Sequence, residues 1–139
     1  MLVRKLPQVK TVEWGNGVSR RFLLKEDRVG YSLTDTIVWA GTSSCLQYVD
    51  HVEACYCIEG SGWVIEADGS AHRLEPGTMY ALDEHDPHTL IADEGVDLRL
   101  VCVFQPALEG HECHNLSPNG FSSYAGDGVI DTAAQGVAA

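Results

Sequence analysis

Residues 41–60 read GTSSCLQYVDHVEACYCIEG, and the second half of this stretch gives the clearest indication of the fold. Along residues 50–58 the side chains alternate, so that His51 and Glu53 fall on one face of a predicted strand and Val52 on the other. The run ends at EGSG, which is typical of a tight turn. The stretch therefore predicts a short β-strand with one polar face.

The same pattern of short strands recurs along the chain, with glycine and proline turns such as EPG at 75–77 between them. We find no stretch of a dozen residues with helical periodicity. Many short, evenly spaced strands are typical of a β-sandwich or a jelly-roll barrel, so an all-β fold is predicted. The predicted strands are residues 21–24, 31–39, 53–58, 62–66, 79–82, 88–92 and 98–104.

The length of 139 residues suits one domain with a full hydrophobic core. After Pro106 the alternation gives way to Gly, Ser, Ala and Asn, and little in the last residues could be buried. We expect a single barrel domain over residues 1–117 and a loosely ordered tail over residues 118–139. The alternative, for the part of the tail nearest the barrel, is a lid that becomes ordered when substrate binds.

Charge and composition argue against several classes of function. The net charge is −11 and basic residues do not cluster, so no nucleic-acid partner is expected. No apolar run is long enough to cross a membrane, and residues 1–10 lack the apolar core of a signal peptide, so we expect a cytoplasmic location. The five cysteines form no CxxC pair, which favours buried free thiols in a reducing compartment.

The glycines at both ends of residues 41–60 fit the first cupin motif, in which a glycine, His-x-His, a glutamate and a second glycine follow at fixed spacing. Glu53 occupies the glutamate position, but Gln47 and Val49 stand where the two histidines would be. In the second motif, Tyr80 follows EPG at the position of a histidine. The chain therefore resembles a cupin barrel in which the usual imidazole ligands are replaced.

A metal site in this frame needs a further ligand, and His88 follows Tyr80 by eight residues across the turn at 83–87. We expect a hairpin to bring these two side chains together. A polar face that points into a small barrel is costly unless an ion or a substrate satisfies it. With Glu53, the set offers a carboxylate, a phenolate and an imidazole, which suits Fe(II) or another divalent transition metal.

Three segments carry a closer resemblance: HVEACYCIEG at 51–60, GTMYALDEHDPH at 77–88 and LRLVCVFQPALEGHECH at 98–114. Together they resemble ectoine synthase, a family within the cupins, over residues 1–114. The resemblance implies a hydro-lyase that closes N-gamma-acetyl-L-2,4-diaminobutyrate, a small amino-acid-derived substrate, into the cyclic amidine ectoine. It also implies an iron-dependent site, a homodimer, and a role in making a compatible solute for osmoadaptation.

The resemblance also assigns residues to the site. Its metal ligands fall on Glu53, Tyr80 and His88, the same set that the cupin frame suggests. The residues that it places at the substrate pocket, together with the imidazole that shares a face with Glu53, are Ser19, Arg21, Thr36, Tyr48, His51, Phe104, Glu112 and His114.

The reaction that this implies is attack of a free amine on an acetamide carbonyl that a Lewis-acidic metal polarises, followed by loss of water. Arg21 is expected to pair with the substrate carboxylate through its planar guanidinium. Tyr48, Glu112 or His114 would carry protons from the attacking amine to the leaving oxygen, and the sequence does not rank them.

The chain departs from the family pattern near the pocket. The family has a tryptophan two residues before the serine that corresponds to Ser19; here Gly17 stands at that position and Trp14 lies three residues further upstream. One wall of the pocket is therefore expected to be missing. Together with differences in residues 44–50 and in the tail, this leaves two alternatives open: a cyclase or hydro-lyase for another amino-acid-derived substrate, and a non-catalytic cupin that binds a small molecule.

Overall fold

The computed structural model describes residues 1–117 and 120–124, which form ten β-strands in two antiparallel sheets. The predicted all-β fold is confirmed. In this part of the chain the helical segments are two short 3-10 turns, Leu6–Gln8 and Lys25–Asp27, and no helix is long and apolar enough to span a membrane. The strands are β1 (Lys10–Glu13), β2 (Gly17–Leu23), β3 (Ser32–Val38), β4 (Ser43–Leu46), β5 (Val52–Glu59), β6 (Gly62–Glu66), β7 (Ala71–Leu74), β8 (Met79–Leu82), β9 (His88–Ala92) and β10 (Leu98–Gln105).

The two sheets enclose one hydrophobic core. The larger sheet has the strand order β1-β2-β3-β10-β5-β8 and the smaller sheet the order β4-β9-β6-β7. Inward-facing side chains from both sheets pack into a single cluster, as expected where two sheets each bury one face. Its fully buried members include Val38, Leu74, Leu98, Leu100 and Phe104.

The alternation predicted for β5 agrees with its burial. Glu53, Cys55 and Cys57 are buried, whereas Tyr56 between them is exposed. His51 precedes the first residue of the strand and is half-buried, so it does not share this inward position. The side chains of β5 that point into the barrel are therefore one carboxylate and two thiols.

The sequence pattern does not predict β1, β4 and β7. Each has four residues and each is the outermost strand of its sheet. A four-residue edge strand offers few positions over which alternation can be recognised, and of the four edge strands the pattern predicts only β8. Pairing with a long neighbouring strand orders these segments instead.

The expected hairpin between Tyr80 and His88 is wrong. Tyr80 lies in β8, which pairs with β5 in the larger sheet, whereas His88 lies in β9, which pairs with β4 and β6 in the smaller sheet. Residues 83–87 therefore cross from one sheet to the other. Because the sheets face each other, the crossing still brings the two rings to a centroid distance of 6.3 Å.

Residues 120–124, within the predicted loose tail, lie against β4. The backbone N–H of Ser122 donates to the carbonyl of Cys45 at 2.9 Å, and the N–H of Gln47 donates to the carbonyl of Ser122 at 2.8 Å. An edge strand has unpaired backbone groups, which can order a neighbouring segment that has no apolar pattern of its own. The rest of the predicted tail lies outside the described residues, and the domain boundary at residue 117 stays a prediction.

Candidate active site

Glu53 and Tyr80 line one small cavity between the sheets. They come from the neighbouring strands β5 and β8, where Cys55 is the direct partner of Tyr80. Glu53 is 7% exposed, and the cavity has a volume of about 20 Å³. The inward face of β5 thus places a carboxylate beside a phenol in the core, and we call this space the inner cavity.

His88 approaches the same region from the smaller sheet. It is 1% exposed, and its ring lies 6.3 Å from that of Tyr80 and 6.4 Å from that of Tyr48. Its Nδ1 is 2.9 Å from the carbonyl oxygen of Asp86, which fixes the ring, while Nε2 has no hydrogen-bond partner among the described residues. A buried, unpaired nitrogen of this kind is a candidate metal ligand.

The electrostatics of these groups fit a divalent cation. Burial raises the pKa of Glu53 to about 8, although the thiols of Cys55 and Cys102 donate hydrogen bonds to it. Burial also raises the pKa of Tyr80 well above its ordinary value and lowers the pKa of His88. A cation would stabilise the charged forms of the two oxygen donors and would bind the neutral imidazole that burial already favours.

Two thiols that the sequence pattern predicts as buried core residues lie beside Glu53. Cys55 and Cys102 are direct partners on β5 and β10, with their Sγ atoms 3.4 Å apart. Ligand atoms of Glu53, Cys55 and Cys102 lie within 4.8 Å of one another, and all three residues are buried. A possible metal-binding site is therefore present around Glu53, and the shared face of Glu53 and Cys55 was the signal for it.

Arg21 forms a buried ion pair with Glu112. The side chain of Arg21 is fully buried and that of Glu112 is 5% exposed, with Nη1 and Oε1 3.6 Å apart. Nη2 donates to the main-chain carbonyl of Glu112 at 2.6 Å, and Nε donates to the Ser19 hydroxyl at 3.2 Å. Nη1 has no hydrogen-bond partner in the part of the chain that is described. One donor of the guanidinium is thus left for a ligand.

The Glu112 carboxylate is also held by the backbone of its own loop. It accepts hydrogen bonds from the N–H groups of Glu109 and Gly110 at 2.7 and 2.8 Å. Although burial opposes its charge, these bonds and the Arg21 guanidinium hold the pKa of Glu112 below its ordinary value. The carboxylate is therefore charged and occupied by structural partners.

His114 and Tyr48 form a hydrogen-bonded pair in the core. His114 Nε2 is 3.0 Å from the Tyr48 hydroxyl, and its Nδ1 is 3.0 Å from the Ser122 hydroxyl. Burial lowers the pKa of His114 to about 3, with a smaller contribution from nearby positive groups, and burial raises the pKa of Tyr48. Both groups are therefore neutral near pH 7, and the imidazole can donate on one side while it accepts on the other.

The expectation that one pocket wall is missing is wrong, because Trp14 lines the inner cavity. The β1–β2 hairpin turns the Trp14 side chain inward; it is 3% exposed and its indole N–H donates to the carbonyl of Ile37 at 3.0 Å. A Cβ atom at Gly17 would lie only 1.8 Å from that carbonyl oxygen. Glycine is thus required where the strands approach closely, and the tryptophan three residues earlier fills the wall.

The remaining predicted pocket residues lie at different depths. Thr36 lines the inner cavity, and the ring of Phe104 packs edge-on against Tyr48 at 5.3 Å. His51 instead lines a larger, outer cavity, where its Nδ1 is 2.8 Å from the carbonyl oxygen of Pro106. The structure therefore brings most of the predicted pocket residues together around the inner cavity, whereas His51 lies at the outer cavity.

Tyr124 belongs to the site, although the sequence gives no signal for it. Its ring lies 4.4 Å from that of His114 and 5.0 Å from that of Tyr48, and the Arg21 guanidinium carbon is 5.3 Å from its centroid. It lines both the inner cavity and the outer cavity, which has a volume of about 540 Å³. The Tyr124 ring thus lies between the two spaces.

Comparison with known proteins gives a consistent result. The sequence model of the family described as ectoine synthase matches residues 1–124. The L-ectoine synthase of Desulfatibacillum aliphaticivorans is 48% identical over 122 residues, which cover 83% of this chain and 92% of that protein. The L-ectoine synthase of Oceanobacillus iheyensis is 53% identical over 98 residues, covering 70% and 75%.

Solved structures agree with these matches. The crystal structure of ectoine synthase from P. lautus is 42% identical, with a TM-score of 0.75, and covers 79% of this chain and 81% of that one. The polyketide cyclase RemF from Streptomyces resistomycificus is 20% identical, with a TM-score of 0.65, and covers 76% of this chain and 79% of that one. At the latter identity the likeness concerns the fold alone.

Proposed function

The chain belongs to the ectoine synthase family of hydro-lyases, and we propose that it closes N-gamma-acetyl-L-2,4-diaminobutyrate into ectoine in the cavity between its sheets. The observation that carries this is that Glu53 and Tyr80 line one cavity, while the buried ring of His88, from the other sheet, lies 6.3 Å from that of Tyr80. Barrels of this size seldom bury such groups without a ligand.

We assign Glu53, Tyr80 and His88 as the ligands of a divalent metal, with Fe(II) as the ion. The assignment is supported by the cavity shared by the two oxygen donors and by the unpaired Nε2 of His88 among the described residues. Bound there, Fe(II) would act as a Lewis acid toward the acetamide carbonyl. Cys55 and Cys102, together with Glu53, offer an alternative ligand set that contains sulfur. A cysteine substitution would distinguish this set from the assigned one.

Arg21 would receive the carboxylate of the substrate through Nη1. The ion pair with Glu112 holds the guanidinium in a fixed orientation in the core, and Nη1 has no hydrogen-bond partner among the described residues. Trp14 and Phe104 would supply apolar walls that hold the flexible chain bent, so that its amine lies near the acetamide carbon. Since Trp14 fills the wall, the main reason to expect a different substrate is removed.

Tyr48 and His114 would carry the protons. Ring closure forms a bond from the amine nitrogen to the carbonyl carbon and breaks the carbon–oxygen bond; the nitrogen gives up two protons, which leave with the oxygen as water. The 3.0 Å contact between the Tyr48 hydroxyl and His114 Nε2 supports a relay through these two neutral groups. Glu112, bound by two backbone N–H groups and Arg21, would position the site rather than exchange protons.

The inner cavity of about 20 Å³ holds about one water molecule, so the substrate needs more room. We propose that the segment 120–124 swings away from β4 and that Tyr124 opens a path from the outer cavity. His51 would contact the substrate at this mouth. The segment would then act as the lid that the sequence allows as an alternative to a loose tail.

We further propose that the protein is a cytoplasmic homodimer that serves osmoadaptation. The acidic charge of −11 and the exposed edge strand β1 are compatible with this, and the family resemblance is its main support. Light scattering on the purified protein would measure the assembly directly. A monomeric mass at the concentrations used in the activity assay would contradict the dimer but would not affect the proposed reaction.

The central test is to incubate the iron-loaded protein with N-gamma-acetyl-L-2,4-diaminobutyrate and to follow ectoine by NMR. We expect Glu53→Gln to lose activity at least about 100-fold and to lose bound iron. Glu59→Gln is the matched control, because Glu59, which pairs with Arg99, is an exposed carboxylate on the same strand. Absence of ectoine with the wild-type protein would refute the function.

Metal content separates the two ligand sets. We expect His88→Ala to lose iron and Cys55→Ala to keep it, since only the first residue belongs to the assigned set. The reverse outcome would move the site to the sulfur-containing group around Glu53.

A further inference from the structure

A second opening reaches the proposed metal centre from the side of the barrel. It is a cavity of about 180 Å³ on the side where β8 and β7 are the edges of their sheets. Tyr80 and His88, two of the proposed ligands, line it, together with residues of β6 and of the crossing at 83–87. We call this space the side cavity.

One residue that lines the side cavity, His88, carries a buried nitrogen without a hydrogen-bond partner among the described residues. His88 is 1% exposed, and its Nε2 makes no hydrogen bond within the described part of the chain, while Nδ1 is held by the carbonyl of Asp86. When Nδ1 carries the proton and donates it to this carbonyl, Nε2 has a lone pair that can bind a ligand. The cavity therefore leads to a group that is suited to bind a cation.

The lining of the side cavity is acidic. Glu66, Asp83 and Asp86 line it, and no lysine or arginine is among its described lining residues. Glu66 and His72 pair at 2.7 Å at its solvent side, where both side chains are about half exposed. A cleft lined by charges of one sign raises the local concentration of counter-ions and their rate of association.

The outer cavity has a different charge. Its lining includes two basic residues, Lys25 and Arg28, which offset most of the charge of its three acidic residues, Asp50, Glu109 and Glu112. Tyr124 separates it from the inner cavity. Its size of about 540 Å³ suits an organic substrate. The two openings therefore differ in both size and charge, and Tyr80 lines the inner and the side cavity alike.

We propose that the side cavity is the route by which a divalent cation reaches the metal centre, with Glu66, Asp83 and Asp86 attracting it, while the substrate uses the outer cavity. The proposal rests on the proposed metal centre of Glu53, Tyr80 and His88. It adds a separate inlet that can load the ion while Tyr124 closes the substrate side.

The test is the rate at which chelator-treated, full-length protein takes up Co²⁺, followed by stopped-flow absorbance at low salt. We expect Glu66→Gln/Asp83→Asn to slow uptake by about 3- to 10-fold and to leave the final Co²⁺ content unchanged. The difference should shrink at about 1 M salt, where the Debye length is about 3 Å. Asp86 is left intact because its main chain orients His88.

The matched control is Asp50→Asn/Glu109→Gln, which removes two negative charges from the outer cavity. It should load Co²⁺ at the wild-type rate. Equal slowing in both double variants, or no slowing in the first, would overturn the side route and leave the metal centre standing. If the wild-type protein and His88→Ala bind the same amount of Co²⁺, the metal centre itself fails, and the route fails with it.

Discussion

The buried pair of Arg21 and Glu112 joins β2 to the segment after the last strand, and breaking it should destabilise the fold strongly. Their side chains are 0% and 5% exposed. Removing one partner of a buried ion pair costs about 3–5 kcal/mol, because the other charge is left without compensation. For Arg21→Met we expect about 3 kcal/mol, since Glu112 keeps two backbone hydrogen bonds.

The assay is urea denaturation followed by far-UV circular dichroism. With a slope of about 2 kcal/mol per molar urea, a loss of 3 kcal/mol lowers the midpoint by about 1.5 M. The control is Lys25→Met, because Lys25 makes an exposed ion pair with Glu109, which lies in the same loop as Glu112; its midpoint should stay close to that of the wild type.

A double-mutant cycle completes the test. Glu112→Gln alone should also be costly, whereas Arg21→Met/Glu112→Gln should cost less than the two single losses together, by about 1–3 kcal/mol. If the losses add within about 0.5 kcal/mol, the two side chains are not coupled and the reasoning is refuted.

Three further outcomes are expected. Trp14→Ala should lose about 3–5 kcal/mol in the same denaturation assay and raise KM, whereas Trp14→Phe, which keeps a ring but loses the bond to Ile37, should lose about 1 kcal/mol. Tyr48→Phe should lower kcat about 100-fold with little change in KM, measured by product NMR; an unchanged kcat would remove Tyr48 from the proton relay. The folded-state pKa of His114 is about 3 against an ordinary 6.5, so the unfolded state takes up the proton first as pH falls below about 6.5, and stability is lost from there toward pH 3. Melting temperatures between pH 7 and 4 should fall more steeply for the wild type than for His114→Asn, and parallel curves would contradict the assignment.

Much of the barrel was predictable because apolar and polar residues alternate along its strands. The strands 62–66, 79–82 and 88–92 have the bounds that the pattern predicts. The expected hairpin between 79–82 and 88–92 was wrong, because alternation indicates that a strand exists but does not indicate which sheet it joins. Three of the four edge strands, such as Lys10–Glu13, were not predicted, because four residues with little alternation of their own are ordered by pairing with a neighbour.

The site divides in the same way. Glu53 could be found because a carboxylate on the inner face of a strand demands a partner. Trp14 and Tyr124 could not, because their positions depend on contacts far away in the sequence: a close approach of β2 to β3 at Gly17, and backbone hydrogen bonds from Ser122 to β4. Long-range backbone pairing, rather than local pattern, completes the pocket.

The polar groups of the proposed metal centre also bear on how the barrel holds together. Glu53 and Tyr80 come from one sheet and His88 from the other, and burial drives each toward its uncharged form. The two layers therefore meet there through groups whose charged forms are disfavoured by burial. An ion bound by all three would join the sheets at that point, and its binding free energy would add to the folding free energy. In the proposed metal centre, the polar cavity would thus become a stabilising contact between the sheets when an ion is bound.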